Sequence, residues 1–360
     1  MLNYVMHWST SSITRIVTSM NELKEQCTVH CNELKRISKE KKFPLVNPIK
    51  PSEANGVVAA VDSGFSSKQF LSLDVMLLRS VASIFTYNSN QLVASQYFPS
   101  RVPGIGVHYG VFTDTSDSTC FKSLSRLAAE LSCAVQTMKM YSPSILFIDG
   151  SLLPLPGDKP QQGSTLESLY AEVLALYKEL YSLASSSANG CELVGIVKDS
   201  RSQKLCNLLE RKLETKIAVN SDEFLSNLLL GAGERTAVFS LEDSQLEFAK
   251  SAQCRGIVSE SSPIGDAQNV HCFYMKSGNG LPYRVEFLSN EKDSEAVAST
   301  LAGKLYSLGS PQFSYPSILI EVDMRAALTP AEINALFSSL ENRTRDLVLR
   351  SNSRPFRQKM

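Results

Sequence analysis

Two short segments of the 360-residue chain place an aspartate directly after an apolar run and directly before small residues: AAVDSGF with Asp62, and LFIDGSLL with Asp149. Asp-Ser-Gly and Asp-Gly-Ser are also ordinary turn openers, because Asp accepts hydrogen bonds from the amides that follow and Gly tolerates positive φ. If the two runs are neighbouring strands, their carboxylates come within a few ångströms, and the repulsion between them favours a divalent cation. The pair therefore suggests a metal-dependent carboxylate site with room for a phosphate.

The elements that would position these aspartates follow an α/β pattern. Short apolar runs rich in β-branched residues predict strands, and apolar residues at a helical period predict helices. We expect strands at 56–65, 76–87, 91–98, 144–153, 191–200, 283–288 and 317–328, and helices at 121–140, from 165, across 205–209, at 293–308 and at 329–342. Residues 236–290 read as further strands and loops. This alternation indicates one mixed sheet flanked by helices.

The N-terminal segment differs from the rest of the chain. Apolar residues recur at alternating steps of three and four from Ile13 to Ile37, which predicts one long helix with a coiled-coil seam. Because Cys and His residues weaken that seam, it fits packing on its own domain as well as pairing with a second copy. Prolines then mark an extended connector. We divide the chain into a helix and connector at 1–54, an α/β domain at 55–345 and a basic tail at 346–360.

Composition places the chain among folded proteins. Hydrophobic residues make up 43% and charged residues 20%, which excludes a disordered or fibrous chain. Because 36 basic residues balance 36 acidic ones, a polyanionic partner must be held by local patches. No apolar stretch is long enough to span a membrane, and the first twenty residues lack the pattern of a secretory signal. We therefore expect a cytoplasmic protein with no membrane partner.

The eight cysteines are spread along the chain, which fits reduced thiols better than a disulfide framework. Cys27, His30 and Cys31 resemble the start of a zinc site, but no second pair follows at a finger-like spacing. We therefore reject zinc and interpret these residues as helix packing.

The order of the motifs along the chain is informative as well as each motif by itself. VDSGF is followed by a helix with a glutamate, then by FIDGSLL, GIVKDSRS and YPSILIEVDMRAAL. This order resembles the NurA family of DNA nucleases over about residues 55–345. The resemblance implies a ribonuclease-H-like fold, a mixed sheet flanked by helices.

Carried over residue by residue, the resemblance implies that Asp62 and Asp149 bind Mn²⁺ or Mg²⁺. Glu130, in RLAAELSCA, falls where the family places a third acidic ligand. A solvated helix glutamate is the alternative, but the apolar residues around Glu130 favour an inward position. Tyr315, in SYPSI, matches a tyrosine near the family's active site, or it is a turn aromatic before a proline.

One position departs from the family. Eight residues after Tyr315 the family usually shows a histidine, and this chain has Asp323. Aspartate can ligate Mg²⁺ or Mn²⁺ through oxygen, but it cannot offer a neutral imidazole as a proton shuttle. None of the four histidines, His7, His30, His108 and His271, occupies that position. Either the chemistry uses carboxylates alone, with Asp323 as a further ligand, or the activity is altered.

Two basic residues follow a predicted strand in IVKDSRS. Lys198 is either a solvated lysine or a contact to DNA phosphate, and we favour the phosphate because an acidic site needs cations to accept a polyanion. Arg201 is assigned to DNA in the same way.

The resemblance implies a deoxyribonuclease with a two-metal mechanism. It further implies 5′ to 3′ exonuclease and single-strand endonuclease activity. The protein would act as a homodimer with a HerA-type hexameric ATPase in end resection and recombinational repair. The chain has no GxxxxGK[ST] pattern, so the motor would be another chain. The alternatives are a guide-dependent Argonaute-like nuclease and a non-catalytic partner or regulator of the translocase.

Overall fold

A computed structural model describes residues 10–70, 73–112, 114–186, 190–198, 202–217, 219, 221–241, 269–290, 292–309 and 315–343. The helices within these ranges are α1 Thr10–Glu40, α2 Thr115–Tyr141, α3 Glu167–Ser186, α4 Lys204–Leu213, α5 Asp222–Leu229, α6 Ser294–Leu308, α7 Ser317–Ala326 and α8 Pro330–Arg343. The strands are β1 Val46–Pro48, β2 Gly56–Gln69, β3 Asp74–Asn88, β4 Gln91–Phe98, β5 Gly106–Gly110, β6 Ile145–Asp149, β7 Glu192–Val197, β8 Glu234–Thr236, β9 Phe239–Ser240, β10 Asn269–Lys276 and β11 Tyr283–Ser289.

The described strands form one mixed sheet, as the α/β pattern predicted. Its order is β1-β8-β10-β11-β7-β6-β2-β3-β4, with β5 on β3 and β9 on β10. In the centre, β2, β6 and β7 run parallel to one another. β3 joins β2 antiparallel along its whole length, and β11 joins β7 antiparallel. The parallel centre matters for the site, because the carboxyl ends of β6 and β7 meet at one edge.

Helices cover both faces of this sheet, and β2 shows how the two cores are divided. Its residues Ala59 and Val61 pack into the core shared with α1 to α5. Val58 and Ala60 pack into the core shared with α6 and α7. Successive side chains of a strand point to opposite faces, so a strand covered on both sides reads as a continuous apolar run.

The prediction of a strand at 317–328 is wrong, because these residues form helix α7 and a short extended segment. Ile318, Leu319, Val322 and Ala326 are buried, and their spacing is that of one helical face. A twelve-residue apolar run fits either period, and the tertiary structure decides for the helix because this face of the sheet needs a cover. The other predicted strands and helices are confirmed in type, although α2 begins earlier than predicted, at Thr115, and β6 ends earlier, at Asp149. The end of the predicted strand 191–200 and residues 242–268 of the region 236–290 lie outside the described residues.

Helix α1 is buried in its C-terminal half and exposed in its N-terminal half. Cys27, Cys31 and Leu34 are buried in the core that α4 and α5 share. Ile13 and Ile16, on the same helical face, are 47% and 52% exposed. The seam therefore packs on its own domain at one end and is open at the other.

The cysteines behave as structural residues. The seven described cysteines are free and buried, and Cys254 lies outside the described residues. Burial raises the pKa of the Cys31 thiol to about 11, so this thiol is protonated and unreactive at neutral pH. Among the helices that the structure describes, none has the length and apolar character needed to cross a bilayer.

Candidate active site

Asp62 and Asp149 lie side by side on parallel strands. Val61 pairs with Ile148, so the next residue on each strand is the aspartate. Asp62 follows the apolar run but does not end the strand, since β2 extends past the predicted range 56–65 to Gln69. Asp62 is only 8% exposed, and burial together with the charge of Asp149 raises its pKa to about 6. The structure therefore confirms that the two carboxylates lie close enough to repel each other.

Glu130 reaches the same region from helix α2 and is 1% exposed, so the predicted inward position is confirmed. Its Oε2 accepts hydrogen bonds from Ser63 Oγ at 2.7 Å and from Arg126 Nη1 at 3.0 Å. Ser63 also donates its backbone N–H to Asp62 Oδ1 at 2.7 Å. Burial raises the pKa of Glu130 to about 7, against the opposing charge of Arg126.

Lys198 follows the end of β7 and faces the aspartates. Its Nζ lies 2.9 Å from Asp149 Oδ2 and 4.5 Å from the centre of the Tyr315 ring. Burial lowers the pKa of Lys198, but the carboxylates of Asp149 and Asp323 outweigh burial and the net pKa is raised. The structure thus brings Lys198 and Tyr315 to the site. Arg201 lies outside the described residues, so its role stays a prediction.

Asp323 belongs to helix α7, which covers the opposite face of the sheet from helix α2 and its Glu130. Its side chain is exposed, and its charge contributes to the raised pKa values of Asp62 and Lys198. Gly64 makes the close approach of α7 possible, because a Cβ at this position would lie 2.3 Å from the carbonyl oxygen of Ala326. Only glycine allows the C-terminal turn of α7 to come so close to β2.

The residues present fit a hard divalent cation by their chemistry. Carboxylate oxygens are the ligands that Mg²⁺ and Mn²⁺ take. Burial first, and the charge of Asp149 second, raise the pKa of Asp62, and a cation would offset both. As the side chains lie, no group of three or more His, Cys, Asp or Glu residues within the described ranges is arranged to hold a metal ion. Lys198 and Arg126 instead neutralise Asp149 and Glu130.

Metal binding at these carboxylates should depend on pH. Because a cation must displace the protons that Asp62 and Glu130 hold below about pH 6 and 7, Mn²⁺ affinity should fall by at least about tenfold from pH 8 to pH 6. Calorimetric titration in buffers of different ionisation enthalpy measures both the affinity and the proton release. Equal affinity at the two pH values, with no protons released, would contradict this prediction.

Sequence reasoning missed Ser63 and Arg126, which hold Glu130. Arg126 precedes Glu130 by four residues on a predicted helix, so their contact could have been predicted from the spacing. The contact of Ser63 could not, since its hydrogen bond to Glu130 joins residues far apart in the chain.

The fold and the site together define a ribonuclease-H-like α/β protein with acidic residues at the centre of its sheet. A family model for the NurA domain matches residues 56–328, and the chain belongs to this family.

Solved structures agree with this assignment in fold. The NurA nuclease from Sulfolobus solfataricus is 16% identical, with a TM-score of 0.57 over 92% of this chain and 97% of that chain. A NurA bound to dAMP and manganese is 12% identical, with a TM-score of 0.57 over 93% and 97%. No curated protein matches the sequence.

Proposed function

We propose that this chain is a metal-dependent DNA nuclease that hydrolyses phosphodiester bonds with Mn²⁺ or Mg²⁺. The observation that carries the proposal is the pair Asp62 and Asp149 on adjacent parallel strands, with Lys198 in contact with Asp149. A solved NurA binds both dAMP and manganese, which are a nucleotide and a metal of the class that these residues suit. The family assignment favours this activity over a guide-dependent Argonaute-like one.

Each side chain has a part that its position suggests. Asp62, Asp149, Glu130 and Asp323 would hold the metal ions, and Lys198 would leave Asp149 to contact the phosphate of the substrate. Tyr315 stacks on the Lys198 ammonium and limits where it can lie. When bound, a pair of cations would activate the attacking water and stabilise the leaving 3′ oxygen. The protein itself supplies charge and geometry.

A nuclease assay tests the proposal directly. We expect labelled single-stranded DNA and duplexes with free ends to be cut in Mn²⁺ and to remain intact in EDTA. Labels at the 5′ and 3′ ends separate exonuclease polarity, expected as 5′ to 3′, from endonuclease cuts, which a circular single strand reports. If purified protein cuts none of these substrates with Mn²⁺ or Mg²⁺, with or without a HerA-type ATPase, the proposal is wrong.

A non-catalytic role beside the translocase is the second candidate. It is favoured by Asp323 in place of the family's histidine and by the ion pair that neutralises Asp149. The same assay separates the two roles, because a regulator would alter the ATPase without cutting DNA.

Replacing Asp323 tests whether it is a ligand. If it is, Asp323→Asn should weaken Mn²⁺ affinity and cleavage together, by about tenfold. Asp323→His should retain cleavage with a pH dependence near about 6.5, the ordinary imidazole value. The matched control is Glu321→Gln on the same helix, because Glu321 pairs with Arg325 and Tyr97. Unchanged Mn²⁺ affinity in Asp323→Asn would place this residue outside the metal shell.

We also propose that the protein is a cytoplasmic homodimer that works with a HerA-type hexameric ATPase in end resection and recombinational repair. The exposed half of the α1 seam supports self-association, because Ile13 and Ile16 are open where the same face is buried further along.

Two serine substitutions test this surface without entering the core. Ile13→Ser/Ile16→Ser should weaken dimerisation by about tenfold or more, since a symmetric contact loses the apolar area of four side chains. The control is Val29→Ser, which removes an exposed apolar residue from the other face of α1. Light scattering across a dilution series gives the mass. A double variant that dimerises as the wild type does would show that α1 is not the contact.

A further inference from the structure

Strand β11 carries two charged residues in the interior of the protein. Arg284 and Glu286 are only 6% and 0% exposed, because β11 lies in the middle of the sheet between β10 and β7. Arg284 donates from Nε to Glu286 Oε1 at 2.9 Å, and its Nη2 lies 2.8 Å from the same oxygen. One oxygen of Glu286 is therefore used by the arginine.

The second oxygen of Glu286 holds the loop that follows Asp149. Glu286 Oε2 accepts a hydrogen bond from Ser151 Oγ at 2.9 Å and another from the backbone N–H of Leu152 at 2.8 Å. Ser151 and Leu152 are the second and third residues after Asp149. A buried carboxylate with this many donors is fully satisfied, and such groups hold their partners in fixed positions.

The absence of a side chain at Gly195 lets Glu286 reach this loop across strand β7. Glu286 pairs with Gly195 of β7, and Gly195 pairs with Ile148 of β6, so the three residues form one row. Gly195 has no side chain in that row, and a Cβ there would lie 2.7 Å from the carbonyl oxygen of Gly150. The loop therefore lies directly over Gly195, within reach of the Glu286 side chain.

A net gain in folding stability does not explain why Arg284 and Glu286 form a buried ion pair. Removing two charges from water is costly, and apolar residues of similar size in place of a buried ion pair are often as stable or more so. The hydrogen bonds that an apolar pair could not make include those to Ser151 and Leu152, besides the one between the Arg284 and Tyr274 side chains.

We infer that Glu286, held by Arg284, is a positioning residue that fixes the loop after Asp149 and thereby sets the Asp149 carboxylate for the metal. This inference rests on the proposed function. Residues that orient metal ligands in this way commonly change metal affinity or activity by 10- to 100-fold when they are replaced.

The test replaces both charges together, so that neither is left buried and unpaired. Arg284→Met/Glu286→Leu should fold with a melting temperature below that of the wild type, because Ser151 and Leu152 lose their acceptor. It should bind Mn²⁺ at least about tenfold more weakly and exchange the Leu152 amide hydrogen faster. Ser151→Ala leaves the ion pair in place and removes one loop donor, so it should weaken Mn²⁺ binding by about threefold. The control is Arg235→Met, which breaks the ion pair between the buried Arg235 of β8 and the half-exposed Glu295 of α6 and should lower stability alone.

The results separate this inference from the proposed function. Wild-type Mn²⁺ affinity in the folded double variant would overturn the inference, and unchanged affinity in Ser151→Ala would overturn it if the double variant fails to fold. A wild-type protein that binds no Mn²⁺ would refute the proposed metal site. Even if no Mn²⁺ binds, hydrogen exchange of the Leu152 amide in metal-free protein tests whether Glu286 holds the loop after Asp149. An unchanged exchange rate in the variants would show that it does not.

Discussion

Replacing Asp149 or Asp62 by Ala should lower the rate of DNA cleavage by at least about 10³-fold while the protein remains folded. Each carboxylate is assigned as a metal ligand, and losing such a ligand removes several kcal/mol of charge stabilisation from the transition state, at about 1.4 kcal/mol per tenfold. The rate is measured on end-labelled DNA at saturating Mn²⁺. Cleavage within a few fold of the wild type by either variant would remove that residue from the site.

A stability measurement separates this role from that of a structural aspartate. Folding at pH 8 must keep Asp62 ionised although its pKa is raised from 3.8 to about 6, so its charge opposes folding above about pH 4. Asp62→Asn should therefore raise the melting temperature at pH 8 and change it little at pH 4. The matched control is Asp74→Asn, a buried aspartate at the far end of the β2–β3 ladder, which should leave cleavage unchanged. A loss of stability in Asp62→Asn would instead indicate a structural role, through the hydrogen bond that Asp62 accepts from the Ser63 N–H.

The pairing of Asp62 with Asp149 was predictable because it depends on local signals. Each aspartate follows an apolar run, and parallel strands of one sheet carry such residues to neighbouring positions. The same signals predicted Lys198 beside them, and the structure places its ammonium 2.9 Å from Asp149. What local signals omit is that β2 continues past residue 65, since SSKQ has no apolar pattern and its pairing with β3 alone makes it a strand.

The apolar run of α7 was predicted as a strand, because a short apolar run fits either period. The strand predicted at 283–288 is confirmed, but the alternation of Arg284 and Glu286 with apolar residues does not indicate that both faces of β11 are buried. In neither segment does the local pattern decide what is buried. In the structure, helices cover both faces of β11, so its polar side is also interior and is satisfied by a loop more than 130 residues away in sequence. Long-range contacts of this kind have no signature in one sequence.

Lys198→Met should reduce cleavage by about 10²-fold, because one cationic donor aimed at a phosphate is worth that much in the transition state. The effect of this substitution on Mn²⁺ affinity should have the opposite sign. Since the Lys198 ammonium competes with a cation for Asp149 Oδ2, removing it should leave Mn²⁺ affinity equal to or higher than that of the wild type.

DNA binding distinguishes a phosphate contact from a merely structural ion pair. If Lys198 contacts a phosphate, Lys198→Met should weaken DNA binding uniformly across sequences and reduce the slope of log affinity against log salt by about 1. The matched control is Lys304→Met, which breaks the 2.7 Å ion pair with Glu192 at the opposite end of β7. That variant should leave cleavage, Mn²⁺ affinity and the salt slope unchanged. If Lys198 only orients Asp149, its loss would instead lower Mn²⁺ affinity and leave the salt slope at the wild-type value, and the phosphate role would be refuted.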